Sequence, residues 1–235
     1  MSVTEKLFTP LLRQPATPLI TYYDDATGAR VELSRATAAN WAAKTANWLR
    51  EECDVEPGAQ VAVALPAHWQ TVGVLLGAWW CGARITADPA GAEVAFIAPD
   101  GAADRAATVA VVALDPLGRG LAETPGEGKL DYLNEIRVYG DSFDPWQSVS
   151  GDAPALLDST VDDVVAAAAD RAAVLGITEG ARVLSTKDWA VPDGIIDGLL
   201  SILAAGGSLV QCANTDPAKL ADRQASERTT VTLTS

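Results

Sequence analysis

One building plan occurs twice in this chain. Val55-Glu56-Pro57-Gly58-Ala59-Gln60-Val61 matches Ile177-Thr178-Glu179-Gly180-Ala181-Arg182-Val183, and residues 75–85 match residues 199–209 in the order apolar helix, small residues, glycine, strand. The unit reads helix, Gly turn, strand, buried helix, Gly turn, strand, and strands separated by a crossover helix pair in parallel. It predicts an α/β fold of two packed lobes of mostly parallel sheet flanked by helices. The first lobe is expected over residues 1–150, with a long connector at its end, and a shorter second lobe over residues 151–235. Convergence explains the same echo, since any β-α-β crossover asks for these features.

The remaining pattern fits that plan. Leu19-Ile20-Thr21-Tyr22-Tyr23 and Arg30-Val31-Glu32-Leu33, joined by a turn at Asp24-Asp25-Ala26-Thr27-Gly28, predict a strand pair. Ser34 caps a helix whose apolar face includes Ala38, Trp41, Ala42, Trp48 and Leu49. Trp41 and Trp48 on that face read as core. Residues 72–83 are too few to span a bilayer, which takes ~20 apolar residues, and they read as a helix buried on all sides. Residues 94–97 and 108–114 read as further strands, and residues 115–151 as a surface connector punctuated by Gly and Pro. After it come a helix over residues 160–175, a strand at Arg182-Val183-Leu184-Ser185 and a buried helix opened by Pro192 and stopped at Gly206-Gly207. A strand at residues 208–212, an amphipathic helix opened by Thr215-Asp216-Pro217 and a last strand at residues 229–233 complete the chain.

Composition narrows the function. The 17 basic and 31 acidic residues give a formal charge of -14, which argues against nucleic acid or an anionic membrane as partner. Cys53, Cys81 and Cys212 lie far apart without a C-x-x-C, so neither a disulfide framework nor a zinc site is expected. The amino terminus has no charged-then-apolar signal pattern, and a reduced, cytoplasmic setting is the expectation. The acidic pairs Asp24-Asp25 and Asp162-Asp163 are explained by a turn and a helix N-terminus without any metal. No G-x-S-x-G occurs, and Gly126-Glu127-Gly128-Lys129-Leu130 fails as a Walker ending because Leu130 replaces the magnesium-binding hydroxyl. His68, the single histidine, follows Pro66 at a helix entrance, where a capping or surface role is expected over catalysis.

The junction after Ala155-Leu156-Leu157 is informative for what it lacks. A nucleotide enzyme needs small residues and outward N–H groups there, often with a lysine; Asp158-Ser159-Thr160-Val161-Asp162-Asp163 offers carboxylates in the first helical turn. Those carboxylates suit the helix dipole and repel phosphate.

The order Val55-Glu56-Pro57-Gly58-Ala59-Gln60-Val61-Ala62-Val63-Ala64-Leu65-Pro66, then Leu75-Leu76-Gly77-Ala78-Trp79-Trp80-Cys81-Gly82-Ala83, then Asp88-Pro89, resembles the front of the adenylate-forming, AMP-binding superfamily of acyl-CoA synthetases. More narrowly the chain resembles a short actinobacterial family with degenerate motifs. The resemblance implies the superfamily's N-terminal domain. It puts the phosphate loop, a Ser/Thr/Gly run ending in P-K-G, near residues 157–163, where Ser159 and Thr160 alone match. It places the Y-G-x-T-E segment, the ribose-binding Asp and the C-terminal catalytic Lys beyond Ser235, outside this chain. Trp189 stands where the superfamily keeps an aromatic or His near the acyl pocket.

The function expected on these grounds is non-catalytic: a scaffold that acts by binding an acyl-like or nucleotide-like ligand, or another protein. Candidate ligand-binding residues are Ser159, Thr160 and Trp189 at the mouth of an interlobe cleft, together with His68. No cofactor is expected, weak nucleotide binding stays open, and so do a homodimer, a protein partner and a separate chain that completes an enzyme.

Overall fold

A computed structural model of the chain describes residues 1–103 and 105–234; Ser235, the end of the second expected lobe, lies outside them. In chain order the elements are α1 (Val3–Leu7), β1 (Pro18–Asp24), β2 (Ala29–Ser34), α2 (Arg35–Glu51), β3 (Gln60–Ala64), α3 (Trp69–Trp80), β4 (Arg84–Thr86), β5 (Val94–Ile97) and β6 (Thr108–Val111). There follow β7 (Lys129–Asp131), α4 (Tyr132–Ile136), β8 (Pro154–Leu156), β9 (Ser159–Thr160), α5 (Val161–Val174) and β10 (Arg182–Ser185). The last are α6 (Asp193–Ile195), a π-helical segment (Ile196–Leu200), α7 (Ser201–Ala204), β11 (Ser208–Ala213), α8 (Leu220–Glu227) and β12 (Val231–Leu233).

The strands form a five-stranded sheet in the order β12-β10-β11-β1-β2 and a seven-stranded sheet in the order β7-β6-β5-β3-β4-β8-β9. All pairings are parallel except the hairpins β1–β2 and β8–β9, so the α/β class read from the sequence holds. The division at residue 150 does not follow the sheets. β1 and β2 complete the sheet of β10 to β12, with Ile20 in register with Leu209, while β8 and β9 extend the sheet of β3 to β7. Sequence order cannot reveal this, because a strand from one end of the chain can pair at either sheet's open edge.

Between the sheets lies a layer of helices. One continuous core joins Ile20, Val183 and Leu209 of the five-stranded sheet to Val61, Ile85 and Phe96 of the other, through Ala42, Leu75, Val164 and Leu199. This explains the all-round apolar α3: sheets or helices cover nearly its whole surface, and Trp80 is its one half-exposed residue. α2 and α3 meet at small residues. A Cβ on Gly77 would lie 2.5 Å from Thr45 Cβ and 2.7 Å from the Ala42 carbonyl oxygen, so only glycine admits this approach.

Two local expectations are corrected. Residues 115–151 are not merely surface connector: they supply β7 and α4, whose Tyr132, Leu133 and Ile136 are buried, with Asp131 capping α4 through the Leu133 and Asn134 amides. Those elements are too short to show a period against the Gly and Pro around them. The helix opened by Pro192 is not one α-helix, since a π-helical turn at Ile196–Leu200 interrupts it. There the Trp189 indole presses on Gly198, where a Cβ would lie 2.5 Å from the ring nitrogen.

Candidate functional site

The connections after β10 and β11 diverge. From β10 the chain enters the middle layer through α6, whereas from β11 it crosses the outer face through α8 to reach β12 on the far side of β10. Divergence of this kind opens a crevice at the carboxyl ends of two neighbouring strands, where open α/β sheets hold ligands. The crevice is present as a groove of about 490 Å³ lined by Thr186, Lys187 and Asp188 after β10, by Gln211 and Asn214 at the end of β11, and by Pro66 and Ala67 after β3 of the other sheet.

Its chemistry is that of hydrogen bonding. Gln211, 2% exposed, donates from Nε2 to the Lys187 carbonyl at 3.0 Å, while its Oε1 accepts no hydrogen bond. Lys187 Nζ lies 3.7 Å from Asp197. Burial raises the pKa of Cys212, so its thiol stays protonated at neutral pH. Among the described residues no group of three His, Cys, Asp or Glu side chains could hold a metal ion.

His68 sits just inside this edge as the N-cap of α3: Nδ1 accepts from the Gln70 amide at 3.1 Å, and the ring meets Tyr22 edge-on at 4.4 Å between centroids. The capping role holds; the surface role does not, because the ring is buried. Burial pushes its pKa down to about 4, against Asp24 and Asp115, so the imidazole is neutral at pH 7. With Nδ1 accepting, the proton is on Nε2, which has no partner.

Trp189 follows β10 but points inward. It is 2% exposed, and its indole packs on Gly198 beneath the groove. Ser159 and Thr160 stand elsewhere, on the edge hairpin of the seven-stranded sheet. Leu156 pairs with Ser159 and Pro154 with Thr160, and the chain reverses through Leu157, at φ +51°, and Asp158. In this hairpin the backbone donors of the helix start are all committed. The amide of Thr160 donates to Asp163 Oδ2 (3.1 Å), Val161 to the Ala153 carbonyl (2.9 Å), Asp162 to the Gly151 carbonyl (2.9 Å) and Asp163 to Thr160 Oγ1 (3.1 Å). The Thr160–Asp163 pair is a reciprocal capping box, and Asp162 pairs with Lys6 of α1. Thr160→Ala is expected to lower stability by about 1 kcal/mol and Thr160→Ser by much less, read from urea-unfolding midpoints. Equal midpoints for the two variants would show that the box contributes nothing.

The structure therefore brings Trp189 and His68 to the neighbourhood of one groove and leaves Ser159 and Thr160 on a separate hairpin. Gln211, Lys187 and Asn214 are the residues sequence reasoning passed over. The signal available was positional: Gln211 is a polar residue inside an otherwise apolar strand, Ser208-Leu209-Val210-Gln211-Cys212.

Two layered, mostly parallel sheets with helices between them are the fold of solved acyl-CoA synthetases. An acyl-CoA synthetase from Brucella canis superposes with a TM-score of 0.81 at 14% identity, over 100% of this chain and 47% of that one. Acetoacetyl-CoA synthetase from Streptomyces lividans gives 0.77 at 19% identity, over 100% of this chain and 42% of that one. The chain thus has the fold of the N-terminal domain of adenylate-forming enzymes and spans under half the length of these two. No family model matches it. A protein of Mycobacterium tuberculosis (strain ATCC 25618 / H37Rv) named "TIGR03089 family protein" is 48% identical over 234 residues, 95% of each chain, and this chain belongs to that family.

Proposed function

We propose that this chain is a binding module on an acyl-CoA-synthetase-like scaffold, non-catalytic toward ATP and carboxylic acids, which holds an acyl-like or nucleotide-like small molecule in the groove beside Gln211. One observation carries the reading: the amides of residues 160–163, at the position the resemblance assigns to phosphate binding, all donate to the protein's own acceptors. A polyanion there would have to break the capping box and displace two carboxylates. The groove supports binding over chemistry, because its one lysine faces Asp197 and the neighbouring His68 is held neutral under cover. No cofactor enters this reading, and it places the protein, with its three free thiols, in the reducing cytoplasm.

Pure protein mixed with ATP, magnesium, CoA and a panel of carboxylic acids is expected to release no pyrophosphate above the blank. Reproducible release that needs the protein overturns the proposal. A thermal-shift series with nucleotides and acyl compounds tests the binding half. A ligand at a hundred times its Kd adds about 2.7 kcal/mol of stability, and Gln211→Leu is expected to remove that gain.

A further inference from the structure

The opposite, amino-terminal edge of the five-stranded sheet carries a feature that none of the foregoing explains. Two cavities of about 540 and 410 Å³ abut there, sharing Pro10, Leu11, Glu179 and Gly206 in their linings. Together they make one trough. Its first part is mainly apolar, walled by Leu7, Leu11, Ala172, Ile177 and Leu203, with Lys6, already paired with Asp162, at its rim; its second ends at Arg13, Gln14 and Arg35.

Arg35 is 6% exposed. Its Nη1 donates to the Leu11 carbonyl at 3.2 Å and to Gln14 Oε1 at 3.5 Å, its Nη2 donates to the Gly206 carbonyl at 3.0 Å, and its Nε has no partner. These acceptors are neutral. They satisfy geometry and leave a whole positive charge in a desolvated place, where burial lowers the guanidinium pKa with no carboxylate to offset it. The contrast within the chain is sharp: buried Arg223 is paired with Asp25, and Arg182 with Glu227. Among the described residues Arg35 is the buried arginine that no carboxylate pairs. At the mouth, exposed Arg13 makes no side-chain hydrogen bond or ion pair among the described residues. Glu179, the one carboxylate of the lining, is exposed and solvent-screened.

We propose that the trough binds a linear medium-chain carboxylic acid as its anion, with the carboxylate between Arg13 and Arg35 and the alkyl chain along Leu11, Leu203 and Ile177. Charge complementarity selects the headgroup, since a carboxylate supplies the negative charge that the three carbonyl-type acceptors lack. The apolar wall selects the tail, and the combined space falls within the usual range of small-molecule pockets, about 300–1,000 Å³. This site lies at the far end of the strands from the Gln211 groove and does not depend on it.

Calorimetric titration of the full chain with octanoate, acetate and octylamine tests the proposal. Octanoate is expected to bind, acetate to bind at least about tenfold more weakly for want of a tail, and octylamine not to bind. Arg13→Gln should weaken octanoate about tenfold, the worth of one charge-assisted hydrogen bond. Ala173→Trp, at an exposed trough position, should abolish binding. Octanoate affinity unchanged in both variants, or octylamine binding as well as octanoate, overturns the site. A free peptide carboxy-terminus ending in Leu-Leu that binds where octanoate does not overturns the fatty-acid assignment. Loss of nucleotide or acyl binding in Gln211→Leu with octanoate binding intact separates this site from the groove.

Discussion

Replacing Asp25 with alanine is expected to cost the fold about 3–5 kcal/mol, the penalty for leaving a buried charge without its partner. Asp25 stands in the β1–β2 turn and Arg223 on α8, 198 residues apart in sequence, and their side chains are only 7% and 8% exposed. Arg223 reaches both carboxylate oxygens, at 2.8 and 3.3 Å, and lies over the Tyr23 ring at 4.0 Å. The Asp216 amide donates to the same carboxylate at 2.8 Å. Removing Asp25 leaves the Arg223 guanidinium and the Asp216 amide without their acceptor at once. Urea unfolding of Asp25→Ala, Arg223→Ala and the double variant checks it: the double variant should lose clearly less than the sum of the single losses. Additive losses, or a single loss under about 1 kcal/mol, would mean that the pair does not tie the hairpin to α8.

The same cluster sets an acid limit. Arg223's hydrogen bonds hold the Asp25 carboxyl well below the ordinary range, against the burial that would raise it. For Glu227 burial again raises the pKa, and hydrogen bonds from Tyr23, Arg182 and Arg30 outweigh it to leave a value of about 2. Both folded-state values lie below those of the unfolded chain, about 3.9 for Asp and 4.3 for Glu. Their stabilisation is therefore complete above about pH 4.5 and is lost as the pH falls through the folded values, near pH 2 for Glu227 and lower for Asp25. Melting temperatures between pH 5 and pH 2 should fall less steeply in Asp25→Ala than in the parent.

Trp79→Ala should be as damaging, about 3–5 kcal/mol. The indole is buried in α3 between the sheets, and its Nε1 donates to the Ala155 carbonyl of β8 at 2.9 Å. One side chain thereby fills the core and fastens the edge hairpin to the middle layer. Trp79→Phe keeps most of the volume and loses the hydrogen bond, so about 1–3 kcal/mol is expected, from the stranded carbonyl. Trp80→Ala is the control, since Trp80 is half-exposed. Should Trp80→Ala prove as costly as Trp79→Ala, the assignment of faces on α3 is wrong.

Much of this was legible residue by residue. The turn at Asp24-Asp25, the Ser34 cap, the glycine that ends α3 and the Thr160 helix start stand where sequence places them, because each rests on contacts within a few residues. The hydrophobic runs of β3, β5, β10 and β11 were legible as strands of a mostly parallel sheet. What failed to show were short elements held by distant partners, such as α4 under its Tyr132–Thr45 hydrogen bond at 2.6 Å, and the π turn seated on Trp189. The site divided the same way. His68 as a helix cap was readable, but not that it is buried against Tyr22; Trp189 was marked as functional, yet its ring is a wedge beneath the groove.

From the sequence alone came the α/β class, the near absence of a wet face on α3, and a helix start after Leu157 whose carboxylates repel phosphate, because periodicity, caps and charge are local properties. Tertiary structure alone decided which sheet each end of the chain joins, and that Arg35 lies buried with no carboxylate partner among the described residues. Those outcomes depend on which far-apart segments compete for each donor and each sheet edge, and that competition is settled only when the whole core closes.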